Sequence, residues 1–81
     1  MWEKKKEKDY SPADWGYYYK INDCKVVVIK QYSNIIEGFV YEPSGRCSNI
    51  KSPIVGRDID IVKFKCLVKA HEVGWEIKSL K

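Results

Sequence analysis

The chain has 81 residues, of which 44% are apolar and 14% aromatic, and it carries a formal net charge of +4. This length holds one domain and excludes a second, and the apolar share suffices for a small packed core, which excludes a disordered chain outside its ends. No apolar run approaches the length of a membrane helix, and the mild positive balance turns the chain toward polyanions or an acidic protein surface rather than a cationic partner.

Residues 1–9, Met-Trp-Glu-Lys-Lys-Lys-Glu-Lys-Asp, hold a net charge of +1. They read as a charged, flexible arm, because no apolar stripe exists to dock them. Trp2 is a candidate anchor should the arm reach an anionic partner. The rest of the chain, 10–81, is expected to be a single small β-barrel domain. Ser11-Pro12-Ala13-Asp14 predicts one turn of helix: serine can cap, proline fits the first helical position, and the aspartate carboxylate favours the free N–H groups. Gly16 stops it, leaving Trp15 to fold onto the barrel.

Tyr17–Ile21 and Lys25–Lys30 predict two strands, since three tyrosines and the Val-Val-Val-Ile run are strong strand formers. Asn22-Asp23 tolerates a tight turn. A two-residue turn would set Lys20 opposite Lys25, which is unfavourable, so a four-residue loop is the expectation. Ile35–Glu42 predicts a third strand, in which Gly38 suggests a bulge or bend. Pro43-Ser44-Gly45 is a turn. Arg46–Ile50 could form a short fourth strand, and Ser52-Pro53 and Gly56 bracket an irregular connection.

The most regular pattern is Asp58–Ala70. Val62, Phe64, Cys66, Val68 and Ala70 alternate with a second set that carries Ile59, Ile61, Lys63, Lys65, Leu67 and Lys69. Alternation of period two predicts a long strand with one core face and one outer face. His71-Glu72-Val73-Gly74 then closes a hairpin, and Trp75–Leu80 is the last strand, with Trp75 and Ile77 facing inward. The fold class expected is all-β: a five- to six-stranded SH3-like or OB-like barrel with at most one helical turn near the N-terminus.

Catalytic and metal chemistry find little footing. Cys24, Cys47, Cys66 and His71 lack the close ligand pairs of a structural zinc site, so neither a metal nor a cofactor is expected. His71 beside Glu72 has no nucleophile context, and Asp58 with Asp60 reads as a solvated strand end. Gly45-Arg46 and Gly56-Arg57 are isolated turn glycines rather than a phosphate loop. The expectation is a protein that is not an enzyme. An odd number of widely spaced cysteines, without a signal peptide, reads as a cytoplasmic chain with reduced thiols.

Binding is left. Lys63, Lys65 and Lys69 share the outer face of the predicted long strand, Tyr18 and Lys20 share the outer face of the first, and Arg46 and Arg57 lie in loops. Small barrels bind nucleic acid with a basic groove and exposed rings, so these residues form the candidate nucleic-acid contact, Tyr18 being the stacking ring. The alternative is a protein-binding module, using Ile59, Ile61 and Leu67 with Lys63 and Lys65, whose apolar centre and charged rim suit an interface. Such a module could be a small inhibitor of the phage or mobile-element type that occludes a partner, including a nucleic-acid-handling enzyme. The same outer Ile and Leu could instead be covered by a second copy in a homodimer.

Overall fold

The computed structural model describes residues 2–5 and 15–77. Among them β1 (Trp2–Lys5), β2 (Trp15–Ile21), β3 (Cys24–Gln31), β4 (Ile36–Val40) and β5 (Ile54–Gly56) form one antiparallel sheet whose spatial order is the chain order. The helix α1 (Ile59–Glu72) follows and packs on one face of β3, β4 and β5. The chain is therefore mostly β, but it is an open sheet with a C-terminal helix rather than the expected SH3-like or OB-like barrel. The physical reason is that α1 buries the apolar face of the sheet, so the sheet need not close on itself to do so. Of the stretch expected as a charged arm, Trp2–Lys5 is strand β1, paired with Tyr19–Gly16 of β2. The helical turn expected over Ser11–Asp14 lies outside the described residues.

The β2–β3 hairpin turns on Asn22 and Asp23 alone, at φ 51° and 65°. Two consecutive left-handed residues match the twist of the flanking strands, and Asn and Asp adopt that region at least cost. The four-residue loop is thus corrected to a two-residue turn. Lys20 does stand opposite Lys25. Each ammonium finds its own partner: Lys20 Nζ lies 3.2 Å from Glu3 Oε2, and Lys25 Nζ lies 4.6 Å from the centre of the Tyr18 ring. A bulge next to this pair inserts Val26 between the partners of Tyr19 and Lys20, and Val26 and Val27 are both fully buried. The bulge expected at Gly38 is absent. Gly38 is in register with Ile29 on one side and Ile54 on the other. Its role is close approach, because a Cβ there would run into Cys66 Sγ of α1 and crowd Val62.

The segment Asp58–Ala70, expected as a strand, is the body of α1. Asp58 is its N-cap: the carboxylate accepts from the N–H groups of Asp60 (2.9 Å) and Ile61 (3.3 Å). Asp60 sits in the first turn and Lys69 in the last, each on the end where the helix dipole favours its charge. After the cap residue Val73, Gly74 takes φ 117°, and the Trp75 N–H returns to the Ala70 carbonyl at 3.1 Å. The buried stripe is Val62, Cys66, Leu67 and Ala70, flanked by half-buried Ile59 and Val73. This is the 3.6-residue period, not the period of two.

The core lies between α1 and the sheet and joins that stripe to Val26, Val27, Ile29, Ile36, Val40 and Ile77. The expected strand at Arg46–Ile50 is instead a series of turns with a single bridge from Cys47 to Tyr41, and the connection expected to be irregular contains β5. His71 and Glu72 end the helix rather than forming a hairpin, and 75–77 is not strand. Ile77 is buried, and Trp75 packs on the core with its indole N–H donating to the Tyr41 carbonyl at 2.7 Å. Lys78–Leu80 lie outside the described residues.

Candidate functional site

Refolding Asp58–Ala70 as a helix scatters the lysine row. Consecutive odd positions share a strand face but are 200° apart on a helix. Lys63 turns toward the sheet, its Nζ 4.5 Å from the centre of the Tyr17 ring and 5.2 Å from that of Trp2. Lys65 is exposed on the outer side of α1. Lys69 lines a cleft with the loop between β4 and β5, and Arg57 lines a separate hollow beside the β3–β4 turn. The alternative interface divides as well. Leu67 is buried and Ile59 packs against the core, whereas Ile61 remains 53% exposed, one helical turn from Phe64 at 59%. Lys63 therefore leaves the row, Lys65 and Lys69 stay neighbours four residues apart on α1, and Ile59, Ile61 and Leu67 form no common apolar face.

A different surface is assembled by the sheet. With α1 on one face, the other face presents the alternate residues. The strand register sets Glu3, Tyr18, Val28 and Phe39 in one row across β1 to β4. Tyr18, Val28 and Phe39 are half-buried. Lys20 and Lys25 flank the row on one side. On the other, Lys30 faces Glu37. Val28, Lys30 and Phe39 continue into a shallow depression of about 350 Å³ completed by Tyr41, Cys47 and Ile50. Burial, with Cys47 beside it, raises the Tyr41 phenol above its ordinary 10.0, so the ring stays neutral at physiological pH. Two of the proposed contacts, Tyr18 and Lys20, belong to this face. Lys25, Lys30, Val28 and Phe39 are not among the expected contacts, although the two-residue spacing of Val28 and Lys30 on one strand and of Phe39 and Tyr41 on the next carries the signal.

Next to that depression lies a second, open cleft of about 530 Å³, lined by Arg46, Ser48, Lys51, Ser52 and Lys69 among others. The loop that forms it is held by buried Asn49. Its Oδ1 accepts from the Val40 N–H at 2.8 Å and its Nδ2 donates to the Gly38 carbonyl at 3.1 Å. Beyond the three residues of β5, this amide takes the place of a neighbouring strand along β4. Ser48 adds a hydroxyl bond to the Val40 carbonyl at 2.8 Å, and the Ser48 N–H donates to the same oxygen. Loop geometry is thus set by buried hydrogen bonds, which are costly to break.

Cys24 is exposed at the hairpin, Cys47 is half-buried beside Asn49, and Cys66 is buried beneath Gly38. Among the described residues no three His, Cys, Asp or Glu side chains converge on a point that could hold a metal ion, and no helix is long and apolar enough to cross a membrane. No family model matches the chain, and neither a curated protein nor a solved structure matches it.

Proposed function

We propose that this is a non-catalytic binding domain that contacts single-stranded nucleic acid through the open face of its sheet. The observation that carries the reading is the row Tyr18–Val28–Phe39, placed on the helix-free face by the strand register and bordered by Lys20, Lys25 and Lys30. Bases offer a planar face that stacks on such rings, and ammonium groups beside the rings meet the phosphates. Glu3 holds Lys20, and Glu37 stands across from Lys30, so the charge of this face is modest and binding should be weak and salt-sensitive.

The test is a titration of single- and double-stranded oligonucleotides at two salt concentrations. Single strands should bind at low salt and weaken as salt rises. Phe39→Leu and Tyr18→Leu keep apolar volume but remove the stacking ring, and each should weaken binding about 5- to 150-fold, the equivalent of roughly 1–3 kcal/mol per stacked base. Absence of any complex at low salt and micromolar protein would sink the reading.

A second reading has its own observation. Ile61 and Phe64 are exposed one turn apart on the outer side of α1, with Lys65 at their rim. Such a pair suits the anchor of a protein-binding module or small inhibitor that occludes a partner. Its binding would respond little to salt, and Phe64→Ala would abolish it while leaving oligonucleotide binding unchanged.

A further inference from the structure

The geometry points to a phosphate-binding site in the cleft between the 46–52 loop and α1, taking the phosphodiester next to a base stacked on the open sheet face. The inference rests on the nucleic-acid reading for the source of the phosphate, but not for the site itself. Three cations, Arg46 and Lys51 from the loop and Lys69 from α1, line one cleft, and no Asp or Glu is among its described lining residues. On the open sheet face, by contrast, Lys20 pairs with Glu3 and Lys30 stands across from Glu37. A concave site lined by one sign of charge concentrates the opposite ion. Ser48 and Ser52 supply hydroxyl oxygens to the same lining, and a cleft of about 530 Å³ exceeds what a single phosphate requires, leaving room for the attached sugar.

Preorganisation is the second element. The loop that carries Arg46 and Lys51 is pinned to β4 by the two hydrogen bonds of Asn49, one of the few buried polar side chains. Lys69 comes from the last turn of α1 and leans over the loop from the other side. The cations are therefore brought together by the fold, with the loop ordered before any ligand arrives. The third element is continuity: Cys47 and Ile50 line both this cleft and the depression beside Phe39 and Tyr41. A strand stacked on the sheet passes directly from one to the other.

The experiment has two arms. In the first, isotope-labelled protein is titrated with inorganic phosphate and, at equal ionic strength and pH, with chloride, and backbone amide shifts are followed. Phosphate should give saturating shifts confined to residues 46–52 and the last turn of α1, and the Lys51→Ala/Lys69→Ala double variant should lose them. Shifts absent, or equal for chloride, or unchanged in the double variant, would overturn the site. In the second arm, the dependence of oligonucleotide affinity on salt is measured. Lys51→Ala and Lys69→Ala should each reduce the slope by about 0.7, the value for one contact to a single strand, whereas Phe39→Leu should lower affinity without changing the slope. An oligonucleotide that binds the double variant with the parental slope overturns the phosphodiester as the occupant while leaving strand binding intact. Localised phosphate shifts without any oligonucleotide binding overturn the nucleic-acid reading and leave the anion site standing.

Discussion

The ammonium of Lys63 stands 4.5 Å from the centre of the Tyr17 ring, so a lysine of the helix is docked on an aromatic residue of the sheet. Trp2 contributes a second ring at 5.2 Å and packs edge-on against Tyr19, with centroids 5.1 Å apart. The contact ties α1 to β1 and β2, the strands that the apolar stripe of the helix does not cover. Its predicted role is thus stability rather than ligand contact. Lys63→Ala should lower the unfolding free energy by about 1 kcal/mol, between the exposed and desolvated values for a cation–π contact. Urea unfolding measures that loss, and the salt slope of oligonucleotide binding should not move. A slope that falls by one contact would return Lys63 to the binding surface.

Gly38 and Cys66 pack closely where α1 crosses the sheet. A methyl group at position 38 meets the sulfur, so either the Cys66 side chain must turn within the packed core or α1 must move off β4. Gly38→Ala should cost about 1–3 kcal/mol, the usual range for overpacking a core. Cys66→Ala removes the obstructing atom, so the double variant should be more stable than the sum of the two single effects allows. Denaturant midpoints of the four proteins complete the cycle. Strict additivity would mean that the two residues do not touch.

Burial raises the Cys66 thiol from its ordinary 9.0 to about 12. The folded state therefore keeps a proton that the unfolded chain gives up between those values. Below about pH 9 both states hold it and stability does not depend on this group. Above pH 9 the unfolded state is favoured, and stability falls with a slope of up to about 1.4 kcal/mol per pH unit until pH 12. Other groups titrate there too, so the measurement is the difference between the parent and Cys66→Ala. The variant should lack this part of the alkaline loss. In thiol labelling at pH 8, Cys24 should react at once and Cys66 only on unfolding, because one is exposed and the other buried.

Asp58 accepts two N–H groups at the start of α1. Asp58→Ala should cost about 1 kcal/mol and lower the melting temperature, while Asp58→Ser, another good cap, should recover most of the loss. Circular dichroism and thermal unfolding give the readout. Equal stability of parent and alanine variant would remove the cap.

Much of the sheet was legible in the residues. The tyrosine and valine runs of β2 and β3 and the Ile36, Phe39 and Val40 of β4 favour strand, and the turns after β2 and β4 carry Asn-Asp and Pro-Ser-Gly. β5 was not legible, being three residues long and without a pattern of its own. The cap signals of α1, Asp58 with Asp60 at one end and Gly74 at the other, were also present in the sequence. The alternation masks them, because Val62, Cys66 and Ala70 satisfy both a period of two and a period near 3.6. Length was the neglected discriminator, since thirteen residues are long for a strand and ordinary for a helix. The candidate site followed that error. Tyr18 and Lys20 lie on a strand read as a strand, whereas a helix turns Lys63 away from Lys65 and Lys69, which a strand face would group with it.

The sequence alone determined the central antiparallel strands, the tolerance of Asn22 and Asp23 for the left-handed turn, and the apolar side chains that must be covered. Backbone preference and side-chain alternation act locally, so neighbours along the chain suffice to express them. Only the tertiary structure decided that Ile59–Glu72 is a helix, that Gly38 makes room for it, and that Arg46, Lys51 and Lys69 line one cleft. Those outcomes depend on which surfaces bury each other. An apolar stripe that fits two periods takes the one whose face meets a complementary surface, here the sheet face that Gly38 leaves open to Cys66.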